Sequence, residues 1–143
     1  MPKICGVTTA VPPYRVPQSD ASRFAQHHFG DRMRDLQRML TVFENAGIDT
    51  RYFSRPVDWH VEPHTIAEKN EVYIQSATDL SVDASCRLLD LMHLTARDFD
   101  YIINVNTTGL ATPSIDARLI NRLGCRHDIR RTPIWGLGCA GGV

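Results

Sequence analysis

The stretch that decides the fold is Trp135-Gly136-Leu137-Gly138-Cys139-Ala140-Gly141-Gly142. It overlaps an apolar segment, Thr132 to Leu137, that predicts a strand. Four glycines around one cysteine permit a sharp turn at the strand end and a close approach of a ligand to the backbone. The turn would place Cys139 near the start of a following helix, where free N–H groups and the helix dipole favour the thiolate and can hold an oxyanion. The alternative is a tight buried turn with an inert thiol, and the local chemistry leaves both open.

The segment upstream of this turn alternates helices and strands. Residues Phe99 to Thr108 predict a second strand, and Thr112-Pro113 predicts the start of a helix that Gly124 ends. Further upstream, Thr65 and Glu68 have the spacing of a capping box at the start of a long helix. The buried face of that helix is predicted to consist of Tyr73, Ala77, Leu80, Ala84, Leu88 and Leu91. The order of strand, helices, strand, helix and strand predicts an α/β layered fold.

The N-terminal part of the sequence predicts a buried strand from Ile4 to Val11. Ser19 is the expected N-cap of a helix that runs to about Phe29. A second helix is expected to end at Gly47, and its buried face is predicted to consist of Met33, Leu36, Leu40 and Phe43. Residues Ile48 to Pro63 predict a long irregular surface connection.

The composition excludes several classes of protein. The 143 residues include 16 basic and 16 acidic side chains, so there is no basic excess for nucleic-acid binding. The hydrophobic fraction of 43% suits a globular core rather than a disordered chain. No apolar run approaches the roughly 18 residues that span a membrane, and the N-terminus lacks the apolar stretch of a signal peptide. The expected location is therefore the cytoplasm, with reduced cysteines.

The other cysteines and the histidines have no pattern that points to chemistry. Cys5, Cys86 and Cys125 are expected to be buried structural thiols. A metal site from Cys125, His127 and Cys139 would match no standard ligand spacing, so no metal is expected. Each histidine is expected to be structural or on the surface, and the sequence does not show which lies near Cys139. The six are His27, His28, His60, His64, His93 and His127.

Two polar groups have open interpretations. Thr107 and Thr108 follow a predicted strand, where ligands collect in α/β sheets, but their hydroxyls could equally satisfy the loop backbone. A basic cluster could attract phosphates or could simply be a solvated connection. It consists of Arg126, Arg130 and Arg131.

These motifs together resemble the type III polyketide synthases, the chalcone synthase-like branch of the thiolase-fold condensing enzymes. The strongest match is the glycine-rich stretch around Cys139, and the second is Asn106 to Asp116. The segments Gly6 to Pro12 and Ile48 to Phe53 fit as well, so the resemblance covers essentially the whole chain. The amino-acid sequence at Gly109 to Ser114 and at Arg130 to Pro133 resembles bacterial alkylresorcinol and alkylpyrone synthases more closely than plant chalcone synthases.

The resemblance implies the chemistry of the site. Cys139 would take an acyl starter as a thioester, and malonyl-CoA units would extend it. Thr107 and Thr108 match positions that line the acyl and cyclisation cavity. Thr112 matches a position that reaches across a homodimer into the neighbouring site. The resemblance implies no cofactor besides the substrates acyl-CoA and malonyl-CoA.

The sequence departs from the family pattern around positions 38 to 51, where basic residues border the CoA tunnel. That region is less basic here, so Arg51 is the expected CoA contact and starter delivery by an acyl carrier protein is an option. The family's catalytic His and Asn lie downstream of the cysteine, and nothing in these 143 residues matches them. The chain is therefore expected to be the N-terminal half of an αβαβα thiolase-like fold, with an inner face that needs a partner.

Two further functions fit the same residues. A ketosynthase III would perform a single condensation of fatty-acid synthesis, and would be recognised by a β-ketoacyl product extended once. A non-catalytic truncated or dimerising subunit would pair with a separate chain. A continuous reading frame with a downstream His and Asn would exclude that third option.

Overall fold

The computed structural model describes residues 1–30 and 35–142. The chain divides into two compact units, residues 12–63 and residues 1–11 together with 64–143. Each unit has its own pair of strands, and the two are described in turn. No helix in the described ranges has the length and apolar character needed to cross a membrane.

The unit of residues 12–63 is built on an antiparallel strand pair. Strand β1 (Tyr14–Pro17) pairs with β2 (Thr50–Phe53) so that Tyr14 lies opposite Phe53. Helices α1 (Gln18–Phe29) and α2 (Leu36–Asn45) lie between the two strands in sequence. A short 3-10 turn, Val57–His60, follows β2.

Three predictions for this unit need correction. Residues 48–63 are not an irregular connection, because they contain β2 and the 3-10 turn. Ser19 is not an N-cap, since Pro17 occupies that position and the helix begins one residue before Ser19. On α2, Leu36 is buried and Leu40 and Phe43 are half-buried as predicted, whereas Met33 lies outside the described residues.

The second unit has a parallel strand pair with helices on one face. Helix α3 (Ile66–Met92) precedes β3 (Tyr101–Asn106), α4 (Ile115–Leu123) and β4 (Arg130–Trp135). Parallel strands need a crossover, and α4 provides it. In the register Ile103 lies beside Thr132. The helices bury an apolar core that includes Leu89, Ile115, Leu119 and Cys125.

The elements of this unit follow the sequence closely, with small shifts. Helix α4 begins at Ile115 behind Ser114, two residues later than Thr112-Pro113 predicted, and ends at Gly124 as expected. Helix α3 has the capping box that was predicted. Its buried face contains Leu89 rather than Leu91, which is exposed at the last turn.

The predicted strand from Ile4 to Val11 is wrong. These residues are irregular, and Ile4 is 84% exposed. A strand needs a neighbour that accepts its backbone hydrogen bonds, and among the described residues none pairs with this segment. Instead the segment runs along α3, where the Thr8 hydroxyl donates to the Ala84 carbonyl at 2.7 Å.

One face of the β3–β4 pair is uncovered. Tyr101, Ile103 and Val105 alternate along β3 and therefore point to the same side. All three are exposed, and Ile103 is exposed by 63%. The inner face that needs a partner, which the sequence predicted, stays a prediction.

The capping box of α3 gives a pH-dependent prediction. The Glu68 carboxylate accepts hydrogen bonds from the Thr65 N–H at 2.7 Å and from its hydroxyl at 2.9 Å, and the backbone bond is the main cause that lowers the pKa of Glu68. A lowered pKa stabilises the fold above the ordinary value of 4.5, and that contribution is lost as the pH falls through the folded-state pKa. Thr65→Ala should cost about 1 kcal/mol at neutral pH.

The pH dependence is measured by urea unfolding at about pH 6 and about pH 3. Glu68→Gln should lose less stability on acidification than the unmodified chain does. Glu71→Gln, on the same helix, is the matched control and should behave like the unmodified chain. An equal loss of stability on acidification in all three chains would show that the Glu68 carboxylate does not cause the pH dependence.

Candidate active site

Cys139 lies in a glycine turn directly after β4. The backbone has φ values of 84° at Gly136 and 56° at Gly138, which side chains with a Cβ rarely adopt. Residues Gly138–Gly142 then form a short 3-10 turn that contains the cysteine. The Cys139 side chain is exposed. The thiol is therefore exposed rather than buried within this chain, whereas its reactivity and its activation by a following helix stay predictions.

The cysteine turn rests on the end of β3. A Cβ at Gly141 would lie 3.1 Å from Val105 Cγ1 and 3.2 Å from Thr107 Cγ2. The Gly136 N–H donates to the Asn106 carbonyl at 3.3 Å, which extends the contact between the strands beyond β4. The fold thus brings the segment of Cys139 beside Thr107, at the carboxyl ends of two parallel strands.

The loop after β3 carries the three predicted pocket residues, Thr107, Thr108 and Thr112, and all three are exposed. Its backbone is held by side chains outside this set. The Asn106 carboxamide accepts from the Thr108 N–H at 2.9 Å and donates to the Gly109 carbonyl at 3.3 Å. These two bonds to the loop backbone do not involve the threonine hydroxyls, so the interpretation of these hydroxyls as pocket groups stays open.

A cavity of about 330 Å³ lies behind this loop. Its wall combines apolar groups with polar ones, among them Ser81, Asn104, Asn106 and the phenol of Tyr73. Burial raises the pKa of Tyr73, and the neighbouring Asn106 side chain acts in the opposite direction. The phenol therefore stays protonated at neutral pH and can act as a hydrogen-bond donor in the cavity.

The predicted CoA contact, Arg51, belongs to the other compact unit. Its Nε donates to Gln18 Oε1 at 2.8 Å, and its guanidinium lies 5.5 Å from the centre of the Phe43 ring. These contacts hold Arg51 within its own unit. Its role toward CoA stays a prediction.

The remaining cysteines differ from expectation in two of three cases. Cys125 is buried as predicted, and burial raises the pKa of its thiol. Cys5 and Cys86 are exposed rather than buried. The cause at Cys5 is that its segment is not a strand, and Cys86 lies on an outer face of α3. Within residues 1–30 and 35–142, no three His, Cys, Asp or Glu side chains form a group that could hold a metal ion.

The histidines of this unit lie at helix ends and in a connection between elements. His64 Nδ1 lies 4.0 Å from the Glu68 carboxylate. His93 forms the C-cap of α3 with a φ of 54°. His127 lies exposed in the connection between α4 and β4.

The basic cluster is largely paired with carboxylates. Arg126 binds Asp100 at 2.9 Å and Asp128 at 3.0 Å, and its hydrogen bond is the main cause that lowers the pKa of Asp128. Arg131 donates to Asp116 Oδ2 at 3.1 Å. Two of the three arginines thus join elements of the fold, which favours a structural role over phosphate binding.

Sequence reasoning missed the groups that hold the loop. Asn70 on α3 binds the main chain of Leu110, and the Trp135 indole N–H donates to the Gly109 carbonyl at 3.0 Å. Trp135 lies in the glycine-rich motif around Cys139, so its place in that motif could have marked it as a candidate site residue. Asn70 lies 40 residues from the loop, and no local pattern marks it.

These features define a class of fold. A parallel strand pair, covered on one face by two helices and followed by a glycine turn that exposes a cysteine, is the arrangement expected for the N-terminal half of a thiolase-like layered fold. Residues 2–143 match the family model of the chalcone and stilbene synthases, N-terminal domain. The chain belongs to this family, the type III polyketide synthases.

Individual relatives agree with that assignment. A chalcone synthase candidate of Bacillus subtilis (strain 168) is 38% identical over 145 residues, covering 98% of this chain and 40% of the relative. The 1,3,6,8-tetrahydroxynaphthalene synthase of Streptomyces peucetius subsp. caesius is 33% identical over 140 residues, covering 98% of this chain and 37% of that protein. The chain therefore spans about two fifths of the length of these relatives.

The solved structures show the same fold. The crystal structure of the tetrahydroxynaphthalene synthase of Streptomyces coelicolor A3(2) superposes with a TM-score of 0.85 at 31% identity, over 96% of this chain and 39% of that one. A type III pentaketide synthase from Neurospora crassa has a TM-score of 0.83 at 24% identity, over 97% of this chain and 38% of that one. The predicted fold class is confirmed.

Proposed function

We propose that the protein is a condensing acyltransferase that holds an acyl starter as a thioester on Cys139 and extends it with malonyl-CoA. One observation carries this proposal: an exposed cysteine lies in a glycine turn beside Thr107, where two parallel strands end. Ligands of α/β folds collect at such strand ends. The class of reaction agrees with the family of the chain.

The proposed reaction has two steps. The Cys139 thiolate attacks the thioester carbonyl of the starter, and the CoA thiolate leaves. Malonyl-CoA then loses CO₂, and the resulting enolate attacks the thioester on Cys139, which forms a C–C bond and releases the Cys139 thiolate. The His and Asn that the family uses would come from residues that its members carry beyond the matched region, and a homodimer would bring Thr112 to the neighbouring site.

The proposed products are alkylresorcinols or alkylpyrones made from an acyl-CoA or a carrier-bound starter. One relative bears on this choice: the α-pyrone synthesis polyketide synthase-like Pks18 of Mycobacterium tuberculosis is 29% identical over 142 residues. The Streptomyces relatives favour a second candidate, 1,3,6,8-tetrahydroxynaphthalene, whose ten carbons can come from two-carbon units alone. The relatives described above give no support to a ketosynthase III or to a non-catalytic subunit.

The two candidate products differ in whether their synthesis requires an acyl-CoA starter. The complete synthase is incubated with labelled malonyl-CoA, with and without a long-chain acyl-CoA, and the products are identified by mass spectrometry. Alkylresorcinols or alkylpyrones should form only with the acyl-CoA. A naphthalene product from malonyl-CoA alone would select the second candidate, and a β-ketoacyl product extended once would overturn both. The 143 residues expressed alone should make no polyketide.

A further inference from the structure

Asn70 contacts the loop after β3 through both ends of its carboxamide. Its Nδ2 donates to the Leu110 carbonyl at 2.8 Å, and its Oδ1 accepts from the Leu110 N–H at 2.8 Å. One side chain thus satisfies both polar groups of one residue's main chain. The Leu110 side chain is 63% exposed. The backbone is therefore held by α3 while the side chain faces outward.

A second contact from α3 supports the first. Tyr73 lies three residues after Asn70 and therefore on the same face of the helix. A Cβ at Gly109 would overlap the Tyr73 ring, which no side chain could tolerate without movement. The loop backbone is thus in direct contact with the Tyr73 ring.

Other hydrogen bonds to this loop come from the strand ends. The Gly109 carbonyl accepts from the Trp135 indole N–H at 3.0 Å and from Asn106 Nδ2 at 3.3 Å. These two bonds act on one atom at the strand side of the loop. On the helix side, the hydrogen bonds come from Asn70, so its loss leaves the middle of the loop free to move away from α3.

We propose that Asn70 is a positioning residue of the condensing reaction, which fixes residues 107–112 against α3 and so sets the wall beside Cys139. The inference rests on the proposed function. Asn70 binds the loop at Leu110, whereas the cysteine turn rests on Val105 and Thr107. Loss of Asn70 should therefore alter the steps that shape the growing chain and should spare the loading of Cys139. Displacements of about 1 Å in such a wall can change rates about 100-fold.

The first test uses the complete synthase and measures amide hydrogen exchange at residue resolution. In Asn70→Ala the Leu110 amide should exchange about tenfold faster, as expected for the loss of a hydrogen bond of ordinary strength. Asn70→Asp keeps the acceptor and should show a smaller change. Asn121→Ala, at an exposed position of α4, is the control. Exchange at Leu110 that matches the control would overturn the proposal.

The second test uses the complete synthase and measures two quantities for each variant. The rate of Cys139 acylation should stay within about twofold in Asn70→Ala, whereas the ratio of products should shift by about threefold or more. Asn70→Asp should restore part of the ratio. Gly109→Ala displaces the same loop without changing Asn70 and should also shift the ratio.

The outcomes separate the two proposals. Lower yields with an unchanged product ratio in Asn70→Ala would mean a purely structural role and would refute the inference. An unmodified synthase that makes no polyketide would refute the proposed function, while the exchange measurement would still decide whether Asn70 holds the loop.

Discussion

Replacing Cys139 by alanine should abolish covalent capture of the starter acyl group. The turn exposes this thiol at the ends of two parallel strands, and the proposed reaction has no other group to carry the acyl chain. Loss of a catalytic nucleophile lowers turnover by at least about 10³-fold. Cys5 and Cys86 provide matched controls, because both are exposed thiols that lie outside the turn. Their alanine variants should load the starter normally.

Capture is measured by intact mass after incubation of the complete synthase with an acyl-CoA. The acyl adduct should appear in the unmodified protein and in the two controls, and should be missing in Cys139→Ala. Iodoacetamide near neutral pH should label Cys139 before the two control cysteines. An adduct that persists in Cys139→Ala would show that another residue is the nucleophile.

Arg131→Ala should destabilise the unit that carries the cysteine by about 2 kcal/mol, within the range for a hydrogen bond to a charged group. Asp116 is fully buried, and Arg131, 47% exposed, donates to its Oδ2 at 3.1 Å. The Arg131 side chain also donates to the Ser114 hydroxyl, which lies at the start of α4. Without Arg131 the buried Asp116 carboxylate loses its counter-charge.

The matched control is Arg122→Ala. Arg122 pairs with Asp79 at 3.2 Å, and both side chains are about half exposed. A surface pair of this kind contributes about 0–1 kcal/mol. Urea unfolding of both variants measures the difference. The double variant Asp116→Asn with Arg131→Ala should recover part of the loss, and equal stability of the Arg131 and Arg122 variants would contradict the buried charge as the cause.

Local patterns predicted the elements whose signals are themselves local. The capping box of Thr65 and Glu68, the end of α4 at Gly124 and the strand before the cysteine all depend on residues a few positions apart. The glycine turn was predicted for the same reason, since its φ values need glycine wherever the chain makes it. The candidate nucleophile could therefore be named from the sequence.

Patterns that depend on a distant partner were misread. The apolar residues from Ile4 to Val11 look like a strand, but among the described residues no strand edge pairs with them. The reverse error occurred at Thr50 to Phe53, where a charged, aromatic segment forms a strand because Tyr14 to Pro17 supplies its hydrogen bonds. A strand is defined by its pairing with another strand, and the residues of one segment do not determine whether such a partner is present.

The sequence by itself determined that Cys139 follows a strand in a glycine turn, because a turn of this kind is specified by the residues that form it. Only the tertiary structure decided what surrounds that cysteine. The parallel pairing of β3 and β4 brings Thr107 against the turn, and α3 holds the next loop through Asn70. These contacts join residues that are tens of positions apart, so they exist only once the chain is packed.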